Sequence, residues 1–339
     1  MTDRTVRAAV CTALTGPDSV RVQDWPSRAP GPGEVRLRLA ASSANYPDLL
    51  MTRGLYQFRE APPFVPGLEA AGVVLDVGEG VTGWAPGDRA VAMVGAAGAG
   101  FAEETTINAS ALLPTPEGMS DAAAASLYVG HYTGYVGVVD RGRLQPHETM
   151  VVFGAAGGVG LGAVQIGLAL GARVIATASS EAKREMLRAE GVEHVLDPAD
   201  PALRETIKEI GGGGVDLVYD PVNGEMFDLG LRVLRPEGRL AVIGFAGAGS
   251  ESDKSAIRPA PSNIVLIKEI EIVGVRAGQF GRRHPEKLQA AWKRMGEWHA
   301  QGKLDPHVSR LYPLDQAADA LRALEDRGVV GKIAVTMGG

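Results

Sequence analysis

The most constraining feature of the sequence is a glycine-rich turn between an apolar strand and an apolar helix. The run Thr149–Phe153 reads as a strand, the turn reads Gly-Ala-Ala-Gly-Gly-Val-Gly over residues 154–160, and a helix is predicted through Val159–Leu170. A strand that enters a helix through such a turn is the first unit of a dinucleotide-binding sheet. The sequence therefore predicts an α/β fold with a doubly wound parallel sheet.

The residues of this turn suit contacts with a pyrophosphate. Gly157 permits close approach of the phosphates, Gly160 permits tight packing of helix on strand, and the helix N-terminus offers backbone N–H donors. Ala155 stands in the place of the first glycine of the dinucleotide pattern. The alternative is a tight strand–helix turn without a ligand. We predict a cofactor-binding turn that comprises Ala156, Gly157, Gly158, Val159 and Gly160.

The end of the following strand indicates which dinucleotide is bound. NAD-preferring folds carry an acidic residue there, about 20 residues after the turn, which binds the ribose hydroxyls. This chain has Ala178, Ser179 and Ser180 at that place, and Lys183 and Arg184 follow within one helical turn. With no carboxylate to repel a 2′-phosphate, and with Ser179 and Lys183 near it, NADPH is the predicted cofactor. Alternatively, the two cations belong to a solvated helix face.

The rest of the chain divides into two regions according to what separates its predicted strands. After the turn, apolar strands alternate with helices, which is typical of a parallel sheet; these strands are Arg173–Ala178, Val195–Asp197, Val215–Tyr219, Leu240–Gly244 and Ile270–Val275. The first third instead predicts a mostly antiparallel β domain, because short strands alternate there with Gly/Pro-rich turns; they are Arg7–Val10, Val20–Gln23, Glu34–Ala41, Ala70–Val77 and Arg89–Met93.

Composition excludes several classes of protein. The net charge is −6 with both signs mixed along the chain, so no basic stripe for nucleic acid is present. Cys11 is the single cysteine, which excludes an intramolecular disulfide and a cysteine-rich zinc site and favours a reducing, cytoplasmic location. The N-terminus lacks the pattern of a signal peptide, and the longest charge-free runs contain Gly, Gln, His or Tyr, so we expect no membrane segment.

Five motifs lie along the chain, and they are PGPGEVRLRLAASSANYPDLLMTRGLY, PPFVPGLEAAGVV, GVTGWAPGDRA, LQPHETMVVFGAAGGVG and GVVGKIAV. Together they resemble the medium-chain dehydrogenase/reductase superfamily, and specifically its zinc-free quinone oxidoreductase (zeta-crystallin-like) branch. The resemblance implies a GroES-like catalytic domain and a Rossmann domain with the active site in a cleft, in a homodimer joined near Ile270–Val275. It places the first part of the catalytic domain at 1–125, the Rossmann domain at 126–265, and the last Rossmann strand and the return to the catalytic domain at 266–339.

The resemblance also bears on zinc. The zinc-dependent members carry Gly-His-Glu, whose histidine binds catalytic zinc, and a cysteine ligand after the early strands. This chain has Gly67-Leu68-Glu69 at the first place and no cysteine in Ala41–Asp48 at the second. A leucine cannot donate to zinc, so we expect no metal at this site, with Leu68 walling the pocket and Glu69 structural.

The matching motifs carry candidate site residues from the family. Asn45 and Tyr56 match the residues that line the substrate cleft, so Asn45 is expected to hydrogen-bond near the nicotinamide or the substrate carbonyl and Tyr56 to donate a hydrogen bond or proton. The alternatives are a turn-forming Asn45 and a rim aromatic at Tyr56. Nearby, Tyr46 is read as a core aromatic and Asp48 as a helix cap. The remaining expected cofactor contacts are Thr133, Gly244, Phe245, Gly274, Val275 and Arg276.

Without a metal, direct hydride transfer from the nicotinamide to an electron-poor acceptor remains. This favours reduction of a quinone or of an activated alkene such as an enone. An enoyl-thioester reductase is the alternative, because the medium-chain enoyl reductases share the Asn and Tyr spacing; such an enzyme needs cations such as Arg53, Arg59, Arg282 or Arg283 at the cleft mouth. A third reading is an NADPH-binding protein with vestigial catalysis.

Overall fold

The computed structural model describes residues 4–57, 60–94, 99–247, 257–325 and 328–338. The chain forms two compact units. The terminal unit combines Met1–Val129 with Pro306–Gly339, and the central unit is Gly130–Asp305. Arg59, a candidate cation at the cleft mouth, lies outside the described residues, as do parts of the loops at 95–101 and 245–262.

The strands alternate with short turns at first and with helices later. In chain order they are β1 (Arg4–Cys11), β2 (Val20–Ser27), β3 (Glu34–Ala44), β4 (Glu69–Val77), β5 (Arg89–Met93), β6 (Glu104–Asn108), β7 (Leu112–Pro114), β8 (Thr149–Val152), β9 (Arg173–Thr177), β10 (His194–Leu196), β11 (Val215–Asp220), β12 (Leu234–Val242), β13 (Glu271–Gly274), β14 (Val308–Pro313) and β15 (Lys332–Thr336).

The helices lie mostly between the later strands. They are α1 (Tyr46–Thr52), α2 (Asp121–Ala124), α3 (Thr133–Tyr135), α4 (Gly158–Leu170), α5 (Glu181–Ala189), α6 (Leu203–Ile210), α7 (Glu225–Val233), α8 (Ser262–Lys268), α9 (Ala277–Arg283), α10 (Pro285–Ala300) and α11 (Ala317–Ala323). Two π-helical segments, Tyr128–Tyr132 and Val136–Arg141, flank α3.

The terminal unit is built on a sheet with the strand order β14-β15-β3-β4-β5-β7, in which every neighbouring pair except β14 and β15 is antiparallel. Strand β15 comes from the end of the chain and pairs with β3, so that Ile333 faces Ala44 across the ladder. This pairing brings Lys332 next to the junction between β3 and α1. The core of the unit is formed by apolar residues of both chain segments.

The central unit contains a parallel sheet with the strand order β10-β9-β8-β11-β12-β13. Strand β8 comes first in the chain, and the chain then builds outward on one side to β9 and β10 and on the other to β11, β12 and β13. The strand order reverses between β8 and β11, which is the place where ligands bind in open α/β sheets. Because all strands run the same way, their carboxyl ends share one edge.

The predicted fold class, a Rossmann sheet with a GroES-like β domain, is confirmed. The sequence analysis did not predict the short strands β6 and β7, the strand β14, or the helices α2, α3, α8 and α9. Two local interpretations were wrong. Tyr46 is 37% exposed rather than a core aromatic. Asp48 occupies the third position of α1, whose N-cap is Asn45, so Asp48 completes a capping box instead of capping the helix itself.

Candidate active site

The glycine turn (residues 154–160) is held at the carboxyl ends of two neighbouring strands. Gly154 adopts a positive φ of 55°, and its N–H donates to Thr177 Oγ1 at 3.3 Å. The N–H of Ala155 donates to the Thr177 carbonyl at 3.0 Å, and the N–H of Gly157 donates to the Gly154 carbonyl at 3.1 Å. The turn is therefore anchored on β9 before α4 begins, which fixes the position of the helix N-terminus.

Two glycines of the turn differ in what surrounds them. A Cβ placed on Gly160 would lie 2.5 Å from the Gly154 carbonyl oxygen and 2.8 Å from Ala155 Cα, so the chain itself requires glycine there. At Gly157 the nearest described protein atom to such a Cβ is the Gly154 oxygen at 3.5 Å, which is ordinary contact. Gly157 is exposed and has an extended backbone with φ −84°. Packing within the described chain thus gives no reason for glycine at Gly157, whereas a ligand lying against the turn does.

The first turn of α4 supplies donors beside Gly157. Gly157 is the N-cap, and no side chain of the described residues caps this helix. Ala156 is buried behind the turn, while Gly158 and Val159 are partly exposed at the start of the helix. A helix of 13 residues presents unpaired N–H groups and a partial positive charge at its N-terminus. This arrangement fits a pyrophosphate.

The end of β9 is polar but not acidic. Ser179 is exposed directly after the strand, and Ser180 caps α5 through its hydroxyl, which accepts the N–H of Lys183 at 3.4 Å. Burial lowers the pKa of Lys183, which is partly buried on the first turn of α5. Arg184 is engaged within the protein: it bonds Glu181, Asp197 and the Ala178 carbonyl, each at 2.9 Å. Of the two predicted cations, Arg184 is therefore committed to local ion pairs.

The other predicted cofactor residues lie at the same edge of the sheet. Gly244 and Phe245 are partly exposed just beyond β12. Gly274 ends β13 with no described atom within 4 Å of where its Cβ would be, and the N–H of Val275 donates to the Val242 carbonyl at 3.0 Å. Arg276 is exposed and is the N-cap of α9. The strand ends thus form one continuous row from Ser179 to Arg276.

Thr133 is placed by close helix packing. It lies in α3 between the two π-helical segments and is partly exposed. A Cβ on the neighbouring Gly134 would come within 2.8 Å of the Ala163 nitrogen, so the backbones of this segment and α4 touch. The segment is held in turn by His131, whose Nε2 lies 2.9 Å from Gln165 Oε1 of α4. Thr133 is therefore fixed relative to the helix that begins at the glycine turn.

Asp220 is a buried carboxyl that the sequence reading missed. It ends β11, and its Oδ1 accepts the N–H groups of Val222 and Asn223 at 2.9 and 2.8 Å. Its Oδ2 is buried without a hydrogen-bond partner among the described residues. Burial raises the pKa of Asp220 to about 6. Its position directly after the predicted strand Val215–Tyr219 was the sequence signal that could have identified it.

Asn45 lies in a buried polar cluster of the terminal unit, formed by Asn45, Asp48, Glu69 and Lys332. Lys332 Nζ donates to Asn45 Oδ1 and, at 3.1 Å, to Glu69 Oε1. Asn45 Nδ2 donates to the Ser43 carbonyl at 3.2 Å and to Glu69 Oε1 at 3.3 Å. Both ends of the amide are thus bonded within the chain, and Asn45 is 5% exposed. Lys332 and its contacts were not foreseen.

The two carboxylates of the buried polar cluster join separate segments of the terminal unit. Asp48 accepts the N–H of Asn45 at 2.9 Å and that of Gly67 at 3.1 Å, and burial raises the pKa of Asp48 to about 7. Glu69 Oε2 accepts the N–H of Val129 at 2.7 Å. Leu68, between these anchored neighbours, is partly buried against the core.

Tyr56 follows α1 and is partly exposed. Its ring packs against the core of the terminal unit, and Gln57 Nε2 lies 3.4 Å from its hydroxyl oxygen. It is placed as a surface tyrosine with its hydroxyl at a polar neighbour, and it is not part of the buried polar cluster.

The donor set in this region does not fit a zinc ion. Leu68 has no lone pair to offer, and both oxygens of Glu69 already accept hydrogen bonds from Lys332, Asn45 and the Val129 backbone. A stable zinc site needs three or four nitrogen, sulfur or oxygen ligands. Over the described parts of the chain, no three or more His, Cys, Asp or Glu side chains come together as a metal site.

No helix within the described residues is long and apolar enough to cross a membrane.

Two family models match successive parts of the chain. The family model described as "Alcohol dehydrogenase GroES-like domain" matches residues 31–142, and the one described as "Zinc-binding dehydrogenase" matches residues 158–297. The human "Synaptic vesicle membrane protein VAT-1 homolog" is 32% identical over 98% of this chain and 87% of its own length. The bovine "Quinone oxidoreductase-like protein 2" is 31% identical over 98% of this chain and 93% of its own length.

Solved structures give the same result. The quinone oxidoreductase from Thermus thermophilus, solved also in complex with NADPH, is 33% identical with a TM-score of 0.83, covering 97% of this chain and 99% of that one. The CurK enoyl reductase is 26% identical with a TM-score of 0.86, covering 99% and 100%. With matches this long in sequence and in structure, the chain belongs to the medium-chain dehydrogenase/reductase superfamily, in its quinone oxidoreductase-like branch, and is an oxidoreductase of that family.

Proposed function

We propose that this protein is a zinc-independent, NADPH-dependent reductase that transfers hydride to a quinone or an activated alkene. The observation that carries the proposal is the open glycine turn, where Gly157 leaves room for a ligand and α4 offers uncapped N–H donors. Zinc independence is supported by the donor set around Leu68 and Glu69, which lacks ligands for the metal.

The end of β9 supports NADPH rather than NADH. Ser179 is exposed there without an acidic residue beside it in the sequence, and Lys183 lies on the first turn of α5. A 2′-phosphate carries negative charge, which an acidic side chain at this position would repel and a lysine would attract. We therefore assign Ser179 and Lys183 to the 2′-phosphate and the row from Gly244 to Arg276 to the rest of the cofactor, with Thr133 behind the nicotinamide.

The chemistry follows from the nature of the cofactor and the acceptor. When bound, the cofactor supplies a hydride, which reduces the acceptor by two electrons and leaves negative charge on its oxygen. One proton must then be added to balance the reaction, at the enolate of an activated alkene or at the quinol oxygen. Tyr56, which is partly exposed, is our proposed donor of that proton, which solvent then replaces.

The class of acceptor is supported by the relatives. The Thermus structure is of a quinone oxidoreductase solved also with NADPH, and the bovine relative is named "Quinone oxidoreductase-like protein 2". The CurK structure, that of an enoyl reductase, favours the enoyl-thioester as a second candidate substrate. A quinone and an enoyl-thioester are both conjugated carbonyl compounds that accept a hydride. The same residues are therefore assigned for both candidate substrates.

The decisive test is NADPH consumption by the protein after treatment with a chelator. A benzoquinone, an α,β-unsaturated ketone and an enoyl-thioester are supplied in parallel, with NADH as the comparison and NADPH fluorescence as an independent measure of binding. We expect turnover that survives chelation and prefers NADPH. Binding of NADPH with no consumption in any arm would contradict the proposal and indicate a cofactor-binding protein. Turnover lost on chelation and restored by zinc would overturn zinc independence.

The substitution Tyr56→Phe tests the proton donor. Loss of a general acid typically costs about a hundredfold or more in rate, so turnover of the unsaturated ketone should fall by about that factor. Quinone reduction should fall less, because a quinol oxygen takes a proton readily from water. Tyr46→Phe is the matched control, a tyrosine of the same unit that is 37% exposed, and it should leave both rates unchanged. Equal ketone rates for Tyr56→Phe and wild type would exclude the role.

We also propose a homodimer and a cytoplasmic location. Strand β13 is the last strand of its sheet, and Leu266 and Ile267 of the adjacent α8 are each 77% exposed. An edge strand beside exposed apolar residues is suited to association with a second copy. A monomeric mass by light scattering at micromolar concentration would contradict the dimer.

A further inference from the structure

Lys332 is a buried lysine, and charged side chains are rare in protein interiors. Its side chain is 6% exposed and that of Glu69 is fully buried, with the two in a salt bridge at 3.1 Å. Burying an ion pair costs desolvation free energy on both sides, and such pairs are weak contributors to stability compared with apolar packing. A buried lysine in an otherwise apolar strand therefore calls for a role beyond holding the fold together.

Lys332 joins the Asn45 amide to the Glu69 carboxylate. An ammonium group only donates hydrogen bonds, so the atom of Asn45 facing it must be the oxygen. The Asn45 nitrogen in turn donates to the Ser43 carbonyl at 3.2 Å and to the Glu69 carboxylate at 3.3 Å. Lys332 and these two acceptors therefore favour the same direction of the amide, and both of its ends are engaged within the chain.

This network holds two segments of the terminal unit in place, the helix α1 and the turn at Gly67–Glu69. Asn45 is the N-cap of α1, the helix that precedes Tyr56. Glu69, the other partner of Lys332, begins β4 directly after Leu68, and its second oxygen holds the Val129 backbone N–H at 2.7 Å. Gly67, on the other side of Leu68, is held by Asp48. Lys332 therefore bonds to both segments that place the side chains assigned to the acceptor.

We propose that Lys332 is a positioning residue for the acceptor side of the site, acting through Asn45 and Glu69 on α1 and on the Gly67–Glu69 turn. The proposal rests on the proposed function, in which Tyr56 donates a proton to the acceptor, and on the expectation that Leu68 walls the pocket. It also changes the expectation for Asn45, which acts as a positioning residue that caps α1 and does not hydrogen-bond the substrate. Lys332 itself touches neither substrate nor cofactor.

The first test is Lys332→Met, which keeps an unbranched side chain one atom shorter and removes the charge. Turnover per folded molecule should fall at least about tenfold and the Michaelis constant for the acceptor should rise, because the acceptor side is no longer held. The Kd for NADPH should stay within about twofold, because every residue assigned to the cofactor belongs to the central unit except Asn45, whose amide is already paired.

Lys268→Met is the matched control. This partly buried lysine of the central unit also donates to protein oxygens, the Leu231 and Arg232 carbonyls. Its replacement should leave kcat unchanged.

A second readout separates this inference from the proposed function. Hydrogen exchange measured by mass spectrometry should show faster exchange in Lys332→Met over residues 45–48 and 67–69, with no change over 149–161. Unchanged exchange in the first two segments would overturn the proposal, whatever the activity. If the wild-type protein consumes no NADPH with any acceptor, the proposed function fails while the exchange result still decides whether Lys332 positions these segments.

The double substitution Lys332→Met with Glu69→Gln covers the case in which the single variant does not fold. It removes both charges and keeps an oxygen for the Val129 N–H, and removal of a whole buried ion pair is tolerated better than removal of one partner. We expect a folded protein that binds NADPH and turns over at least about tenfold more slowly. Wild-type turnover in this variant would mean that Lys332 only balances charge, and the proposal would be wrong.

Discussion

The buried polar cluster of the terminal unit and the cofactor edge of the central unit treat their polar groups in opposite ways. In the terminal unit, the buried polar cluster is closed: the amide of Asn45 and the carboxylates of Asp48 and Glu69 all bond to other groups of the chain. At the cofactor edge of the central unit, polar groups are left open. Within the part of the chain that the structure describes, the helix α4 has no side-chain cap, Ser179 is exposed, and Asp220 Oδ2 is buried without a partner.

This difference indicates that the cofactor edge is suited to ligand binding and the buried polar cluster to rigidity. Open donors at strand ends are suited to bind a large charged ligand, which satisfies them when it arrives. A closed network is rigid, because every group in it loses a partner if one moves. We therefore expect substitutions at the cofactor edge to change affinity with little effect on stability, and substitutions in the buried polar cluster to change turnover and local stability with little effect on cofactor affinity.

The largest expected effect is that of Gly157→Ala. The new methyl group meets no described protein atom closer than 3.5 Å, so the fold should be unaffected. It would, however, occupy the space into which the pyrophosphate fits, and the Kd for NADPH should rise by about a hundredfold, which corresponds to ~2.7 kcal/mol. Fluorescence titration measures the affinity and a thermal melt measures the stability.

Gly160→Ala is the counterpart three residues along the same turn. Its methyl group would lie 2.5 Å from the Gly154 oxygen, so the helix must move away from the strand. Such overpacking costs about 1–3 kcal/mol, and the Tm should fall by several degrees before any ligand is added. The cofactor edge is not an open ligand site, and its contrast with the buried polar cluster is lost, if Gly157→Ala lowers the Tm as much as Gly160→Ala does, because Gly157 would then be needed by the chain and not by a ligand.

A smaller effect is expected from Ser179→Asp. An aspartate here would repel the 2′-phosphate of NADPH and bind the free ribose hydroxyls of NADH. The ratio of the Michaelis constants for NADPH and NADH should rise by about thirtyfold, or ~2 kcal/mol. The control is Ser179→Ala, which removes the hydroxyl without adding charge and should change the ratio by less than about threefold. An unchanged ratio in Ser179→Asp would place the 2′-phosphate elsewhere.

The fold could be predicted from the sequence because its signals are local. The strand, turn and helix around Gly157 are contiguous in the chain, and the strand β5 was predicted with its observed bounds, Arg89–Met93. Elements with weak local signals were missed. Strand β14 is mostly exposed and so shows no apolar alternation, while α9 contains two glycines and owes its stability to burial of Phe280 and its neighbours.

The buried polar cluster could not be predicted in the same way. Lys332 and Asn45 are separated by 287 positions in the chain, and the contact exists because β15 pairs with β3. In the sequence, Lys332 is one cation before an apolar strand, a pattern that equally suits an exposed lysine. The family resemblance pointed to Asn45 as a substrate-cleft residue, but it gave no indication of the bonds that the Asn45 amide makes to Ser43, Glu69 and Lys332, because the partners of a side chain depend on tertiary contacts.

The same contrast is seen between two buried aspartates, Asp48 of the buried polar cluster and Asp220 at the cofactor edge. The smallest expected effect concerns the pH dependence of stability that Asp220 contributes. Both oxygens of Asp48 accept backbone N–H groups, whereas Asp220 uses one oxygen for two N–H groups and leaves the other without a partner among the described residues. A proton on Oδ2 of Asp220 disturbs no hydrogen bond of the described chain. Burial raises the pKa of Asp220 to about 6, above its value near 3.9 in an unfolded chain.

Asp220→Asn should therefore change how stability depends on pH. Between about pH 4 and pH 6 the folded wild type binds more protons at Asp220 than the unfolded chain does, so the free energy of unfolding falls as pH rises through this window. The contribution is fully present below about pH 4 and is lost above about pH 6; between about pH 5 and 6 the loss is about 1 kcal/mol. Asparagine keeps the oxygen that accepts from Val222 and Asn223 but cannot titrate, and its variant should lack this part of the slope in urea denaturation curves. Asp200→Asn, at an exposed loop carboxylate that also accepts a backbone N–H, controls for the loss of one acidic group. Equal slopes for Asp220→Asn and wild type would show that folding does not raise the pKa of Asp220, and this prediction would be wrong.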